Sequence, residues 1–207
     1  MDNCTTKFVV VSAPSGCGKD TIINNVREKI GNIAKTISCT TREIRETEQE
    51  GVDYFFLTRE EFEEKIQADF FLEYADVHGD YYGTPRFYIE KLKNDGADLI
   101  ILNIEGNGAL RFKEIEPSAT LIFILPPSKQ ELRRRLIERG SDPLDKVEKR
   151  INAAEGLMKY VPLYDYVVMN DDLDTAVQEV SAILTSIRCK SEYHKHLIEN
   201  ITKTFAE

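Results

Sequence analysis

The stretch FVVVSAPSGCGKDTII, from Phe8 to Ile23, decides the fold. Residues 8–11 form a short apolar run rich in β-branched side chains, which predicts a buried strand. A glycine-rich turn follows at 13–19. Ile22, Ile23, Val26 and Ile30 then recur at helical spacing, so the order is strand, loop, helix. That is the context in which a glycine loop binds phosphate. Gly16 and Gly18 let the backbone curl so that its N–H groups face inward. The helix N-terminus adds partial positive charge, and Lys19 adds a full one. The loop residues are Ala13, Pro14, Ser15, Gly16, Cys17, Gly18 and Lys19. The strict phosphate-loop pattern fails twice: Ala13 takes the first glycine slot, and Asp20 takes the Ser/Thr slot after the lysine. Thr21, one residue further on, fits as a hydroxyl donor. The plainer alternative is a strand–helix turn with a surface lysine.

Outward from the loop, strands are expected at 36–41, 54–57, 71–75, 78–82, 99–104, 121–125 and 166–169. Thr58 with Glu61, and Ser128 with Glu131, read as capping boxes that open helices. Thr84 reads as a further cap, with Pro85 at the first helical position. Asp142 and Pro143 open a helix that holds Lys149 and Arg150, after Gly140 ends the one before it. Ala176, Val177, Val180, Ile183, Leu184 and Ile187 mark a last amphipathic helix. Strands alternate with helices at the start and through the second half, which predicts a parallel sheet with helices on both faces. Residues 37–88 break the alternation and read as a small antiparallel insertion. The Arg-rich stretch 129–150 reads as a helical excursion. The expected division is a core of 1–36, 89–128 and 151–190, an insertion of 37–88, a lid of 129–150 and a tail of 191–207. A core with two excursions suggests an enzyme that closes on its substrates.

With 207 residues, one domain, or one domain with lids, is expected. Apolar residues make up 42% and charged residues 30%. Those values exclude a disordered tail, a collagen-like fibre and a disulfide-stapled mini-protein. The net charge is −9, from 36 acids and 27 bases. Such a balance argues against a general binder of nucleic acid or anionic membrane. Any anion must therefore meet a local cluster of Arg and Lys. No apolar run reaches membrane-spanning length, and residues 1–7 are polar, without a signal-peptide pattern. Cys4, Cys17, Cys39 and Cys189 form no metal-binding spacing and read as reduced thiols of a cytoplasmic protein. His194 and His196 read as a solvated helix end rather than a metal site.

The remaining motifs point to a family. They are Ser38-Cys-Thr-Thr-Arg42-Glu-Ile-Arg45, Gly51-Val-Asp-Tyr54-Phe-Phe, Phe71-Leu-Glu73-Tyr-Ala and Gly79-Asp-Tyr-Tyr82-Gly-Thr84-Pro. Further on come Arg135, Arg139-Gly140, Arg150 and Tyr164-Asp-Tyr-Val-Val-Met-Asn170-Asp171. In this order and spacing the chain resembles the guanylate kinase family, whose members pass the γ-phosphate of ATP to GMP. The similarity runs from residue 8 to about residue 187. It implies a P-loop NTPase-like α/β core with a GMP-binding insertion and a helical lid, ATP as co-substrate and Mg²⁺ as the metal. GMP, and dGMP with it, would be the acceptor.

The resemblance also implies roles. Arg42 and Arg45 would hold the GMP phosphate by bidentate pairing, with Tyr54 and Tyr82 donating hydroxyl hydrogen bonds. Glu73 would accept from the guanine N1–H and exocyclic amine, with Ser38 and Thr84 fixing the base edge. A carboxylate reading two adjacent donors discriminates well, because the wrong base leaves it buried and unpaired. Lys19, Arg135, Arg139 and Arg150 would stabilise the transferred phosphoryl group, and Asn170 would contact adenine. Arg133 and Arg134 read as a solvated face.

Two departures from the family sit near the metal. Asp20 stands where Ser or Gly is usual, and Asn103 replaces the first of two acids at a strand end while Glu105 keeps the second. Glu105 is therefore expected on the acceptor side. A swap is expected in which Asp20, with Thr21, supplies the carboxylate that Asn103 lacks to Mg²⁺. Asp20 is also shared with a relative, ribose 1,5-bisphosphate phosphokinase, and catalytically weak guanylate-kinase-like binding modules exist. Lys19 and the lid arginines weigh against the module. Ser38, Arg42, Arg45, Tyr54 and Glu73 weigh against the sugar phosphokinase. The sequence leaves a monomer or a homodimer open.

Overall fold

The computed structural model describes residues 6–46, 48–77, 79–140 and 143–205. Cys4, His78 and Asp142, each given a part above, lie outside the described residues. In chain order the core opens with β1 (Lys7–Ser12), α1 (Lys19–Lys29) and β2 (Ile33–Lys35). A smaller unit follows, made of β3 (Ser38–Thr40), β4 (Tyr54–Phe56), α2 (Arg59–Gln67), β5 (Phe71–Val77) and β6 (Asp80–Pro85). The core resumes with α3 (Arg86–Asn94), β7 (Leu99–Leu102), α4 (Asn107–Ile115) and β8 (Thr120–Leu125). Then come α5 (Lys129–Glu138), α6 (Leu144–Leu157), β9 (Tyr166–Met169), α7 (Leu173–Arg188) and α8 (Lys195–Thr204).

The large sheet has strand order β2-β7-β1-β8-β9 and is parallel throughout. Its central strands are continuous apolar runs because both faces are covered. Val9, Val11, Ile122 and Ile124 point into one cluster with α1, α5, α6 and α7. Phe8, Val10, Leu121 and Phe123 point into the other with α3 and α4. The period of two along each strand sorts the side chains between these faces. Chain order reverses direction at β1, with β7 on one side and β8 on the other. Ligands of such sheets bind at the carboxyl ends of the strands beside that switch, which is where β1 delivers the glycine loop.

The small sheet has order β4-β3-β6-β5. It is mixed rather than wholly antiparallel. β3 pairs with β4 in parallel, while β3–β6 and β5–β6 are antiparallel. The long 41–53 connection supplies the crossover that a parallel pair needs. Phe62 of α2 stacks on Phe71 at 4.2 Å and on Tyr81 at 5.1 Å, giving this unit its own core.

Three local expectations change. The strand expected at 36–41 is confined to 38–40, and a strand that was not expected, at 33–35, precedes it. Residues 33–35 join the large sheet and 38–40 the small one, because the Thr36 N–H bonds the Ile101 carbonyl (2.9 Å) before the chain leaves. Thr84 does not cap α3. It lies inside β6, its hydroxyl is given to Glu73, and Pro85 stands at the cap position. Ser128 does cap α5, but the Glu131 carboxylate does not return the bond, because Arg134 and Arg135 hold it. The Thr58–Glu61 box forms in full. No helix among the described residues is long and apolar enough to cross a membrane.

Candidate active site

The glycine loop leaves β1 with Ala13 fully buried. Gly16 (φ +92°) and Gly18 (φ +78°) lie in the left-handed region, while Ala13 is not among the positive-φ residues. Ala13 therefore fills a glycine slot without strain. Pro14 closes the turn by accepting from the Cys17 N–H at 3.2 Å. Gly18 caps α1, so Lys19 is its first residue and its backbone joins the positive end of the helix. Lys19 is 9% exposed. Its Nζ lies 3.1 Å from Glu105 Oε1, at the end of the neighbouring strand β7. Two strand ends thus place a cation and a carboxylate together at the sheet's switch point.

Asp20 and Thr21 are exposed at the start of α1. Lys35 Nζ takes Asp20 Oδ1 at 2.6 Å. Enclosure by protein would raise the Asp20 pKa. The charges of Lys35, Lys19 and Arg139 outweigh it, so the carboxyl is held below its usual range. Asn170, buried after β9, spends its side-chain amide on the Cys17 carbonyl at 2.7 Å. Its own carbonyl accepts from Arg135 at 2.9 Å. The residue expected to touch adenine therefore ties the loop to α5. Tyr164 donates to Ser12 at 2.7 Å beneath the loop.

The small sheet supplies the facing wall. Ser38 and Tyr54 are partners across β3 and β4, and the Tyr54 and Tyr82 rings lie 6.0 Å apart. The Arg42 guanidinium sits 5.6 Å from the Tyr54 ring centre, and it grips both oxygens of Glu48 at 2.8 and 2.9 Å. Burial works against its charge, but the Glu48 and Tyr82 interactions outweigh that and raise its pKa. Arg45 binds the same carboxylate through its backbone N–H at 3.0 Å. Burial lowers the pKa of Arg45, and so do the positive charges of Arg42, Arg150 and Arg139. Arginines of the insertion and of the Arg-rich excursion therefore share one electrostatic space. The Tyr54 hydroxyl is pushed well above its usual range by burial, and then by Asp20, Tyr82 and Glu105. It faces the loop.

Glu73 of β5 is 8% exposed. It accepts from the Thr84 hydroxyl at 2.6 Å, and burial pushes its pKa up to about 7. Gly108 of α4 leaves it room, since a Cβ there would lie 3.2 Å from Glu73 Oε2 and 2.7 Å from Ile104 Cγ2. On the third side, α5 lies so close to the loop that a Cβ on Gly16 would come within 2.7 Å of Leu136. Arg135 is held by Glu131 at 2.7 Å, Arg139 caps the end of α5, and Arg150 of α6 donates to the Ser15 hydroxyl. Arg133 and Arg134 turn away to Glu148 and Glu138.

Sequence reading missed Glu48, Lys35 and Gly108. An acid three residues past Arg45 was the available signal for Glu48. The described residues hold no group of three or more His, Cys, Asp or Glu able to bind a metal. Burial pushes the Cys17 and Cys39 thiols up to about 12, which leaves both unreactive at neutral pH.

Residues 5–187 match the model of a protein family described as guanylate kinase. The chain is 43% identical over 197 residues to the guanylate kinase of Clostridium perfringens strain 13, covering 95% of this chain and 89% of that one. It is 43% identical over 190 residues to the guanylate kinase of Caldanaerobacter subterraneus subsp. tengcongensis, covering 92% of each. The crystal structure of guanylate kinase from Anaplasma phagocytophilum superposes with a TM-score of 0.75 at 35% identity, over 90% of this chain and 88% of that one. The glycine loop, the facing arginine cradle and these likenesses agree, and the chain belongs to the guanylate kinase family, nucleoside monophosphate kinases that use ATP to phosphorylate GMP.

Proposed function

We propose that the transfer runs in the cleft between the glycine loop, the 37–88 insertion and the 129–150 lid, with the remaining residues to 190 as core and 191–207 as tail. The observation that carries this is the crowding of Arg42, Arg45, Arg139 and Arg150. A chain of net charge −9 gathers guanidiniums close enough that, after burial, they further depress the pKa of Arg45. Such a cluster is built to receive a polyanion.

The loop backbone from Ala13 to Gly18 and Lys19 hold the ATP phosphates, and Asn170 serves that site by anchoring the loop. Arg42 and Arg45 take the GMP phosphate from Glu48, which occupies their donors in the meantime. Tyr54 and Tyr82 add hydroxyl donors. Glu73, braced by Thr84, reads the guanine edge as a carboxylate beside Ser38, and dGMP meets the same contacts. Glu105 orients Lys19 and lies towards the acceptor. Arg135, Arg139 and Arg150 close over the transferred group, neutralise its spreading charge and exclude water.

Mg²⁺ fits as a companion of ATP. It keeps several waters and needs only one or two protein carboxylates beside the phosphates. Asp20 and Thr21 are the donors on hand, and Lys35 takes one Asp20 oxygen and leaves the other. When bound, the ion would neutralise negative charge on the ATP phosphates. The enzyme works in the cytoplasm as a monomer or homodimer, without nucleic acid or membrane as partner.

A coupled ADP-release assay with Mg²⁺-ATP and GMP, dGMP, AMP, UMP or ribose 1,5-bisphosphate tests this reading. Turnover with GMP and dGMP alone is the expected result. Turnover with the sugar bisphosphate alone would move the acceptor assignment, and silence on all five would leave a binding module.

A further inference from the structure

Asp20 sets a negative charge immediately after the phosphate-loop lysine, beside a site that takes polyphosphate. At close range a carboxylate and a phosphate repel. The compensation comes from another element. Lys35 is the last residue of β2, an edge strand of the large sheet, and its Nζ lies 2.6 Å from Asp20 Oδ1. Parallel pairing puts the carboxyl ends of β2, β7 and β1 on the same side as the loop. Lys35 pairs in register with Ile101, and the Thr36 N–H to Ile101 carbonyl bond pins the strand just beyond it. The lysine side chain is 23% exposed against 60% for Asp20. The stem is therefore packed while the carboxylate is open to solvent. With Lys19 facing Glu105, both charges that the loop contributes at this point meet a partner.

An exposed pair of this kind adds little to fold stability. Its consequence is in the field at the phosphates. We propose that Lys35 is a positioning residue of the ATP site, which neutralises Asp20 and fixes its carboxylate so that the loop binds nucleotide phosphates despite the acid. This rests on the phosphate-loop reading above.

The test is ADP binding by titration calorimetry in EDTA at low salt, so that no metal enters. Lys35→Met weakens binding about tenfold, as expected for one uncompensated charge near a solvated phosphate. Lys35→Arg stays within about twofold of the unaltered chain, since it keeps the charge. Asp20→Ser combined with Lys35→Met restores binding, because the repelling group is gone. The gap narrows in roughly 0.5 M KCl. Thermal melts check that each variant folds, and Lys35→Gln, which keeps a polar end without the charge, stands in if Lys35→Met does not. Equal affinity of Lys35→Met and the unaltered chain overturns the proposal. So does a double variant as weak as Lys35→Met, which would make Lys35 a support of β2 only. Failure of the unaltered chain to bind ADP removes the phosphate-loop reading and the proposal together.

Discussion

Glu73 shows how a single burial sets both chemistry and stability. Its carboxyl is enclosed, hydrogen-bonded by Thr84 and raised to about 7. A carboxyl that ionises late in the folded state favours folding while it is protonated. That contribution is full below its unfolded pKa and is lost as pH rises through about 7. Thermal melts of the ligand-free chain should therefore fall between pH 5 and 8 relative to Glu73→Gln. The difference should be about 3 kcal/mol at most, from the shift of about 1.4 kcal/mol per pKa unit. A flat difference would place Glu73 in contact with solvent. Gly108 bounds the same pocket. Gly108→Ala should press Ile104 and Glu73 apart, and overpacking of this kind costs about 1–3 kcal/mol. The KM for GMP should rise at least about tenfold while the KM for ATP holds, in steady-state assays with each substrate varied. At this scale Glu73, Arg42 and Lys19 were legible, because a motif names residue types. Gly108 and Lys35 were not, because their roles depend on which neighbour the fold brings up.

At the scale of elements, the small sheet has a core separate from the two beneath the large sheet. Phe62 is fully buried at its centre, stacked between Phe71 and Tyr81. Phe62→Ala should cost about 3–5 kcal/mol, drawn mainly from this unit. Calorimetry should then show GMP binding lost and ADP binding kept. Loss of both would mean that the units fold as one. The capping box of α2 is a milder lever on the same unit. Thr58→Ala should lower stability by about 1 kcal/mol in denaturant melts. The box and the amphipathic helices were legible because they are local hydrogen bonds and a 3.6-residue period. The short strand β2 ahead of β3 was not. Strand propensity says that a segment is extended and is silent on which sheet it joins. Likewise the parallel pairing of β3 with β4 depends on a loop's path rather than its composition.

For the whole molecule, Arg42 and Arg45 of the 41–53 connection come near Arg139 and Arg150, with Glu48 paired to the first two. Burial first, and then repulsion from Arg42, Arg150 and Arg139, lowers the pKa of Arg45. A polyvalent anion should relieve that repulsion. Inorganic pyrophosphate should raise the melting temperature while chloride at equal ionic strength does not. At a hundredfold excess over Kd the gain is about 2.7 kcal/mol, which for a chain this size is roughly 5–10 °C. Equal shifts with both salts would mean simple screening. The sequence carries net charge −9, so this cluster exists against the average composition.

The sequence by itself determined the glycine loop, the parallel core and the family. Those follow from periodicity, from glycine and proline at backbone-critical positions, and from motifs in a fixed order, all of which are properties of neighbours along the chain. Tertiary structure alone decided that Lys35 answers Asp20, that Glu48 fills the arginine cradle, that Asn170 serves the loop, and that Thr84 braces Glu73 instead of capping a helix. Each of these couples residues by distance in space. Such pairings arise only once sheet register and helix packing have fixed which side chains meet.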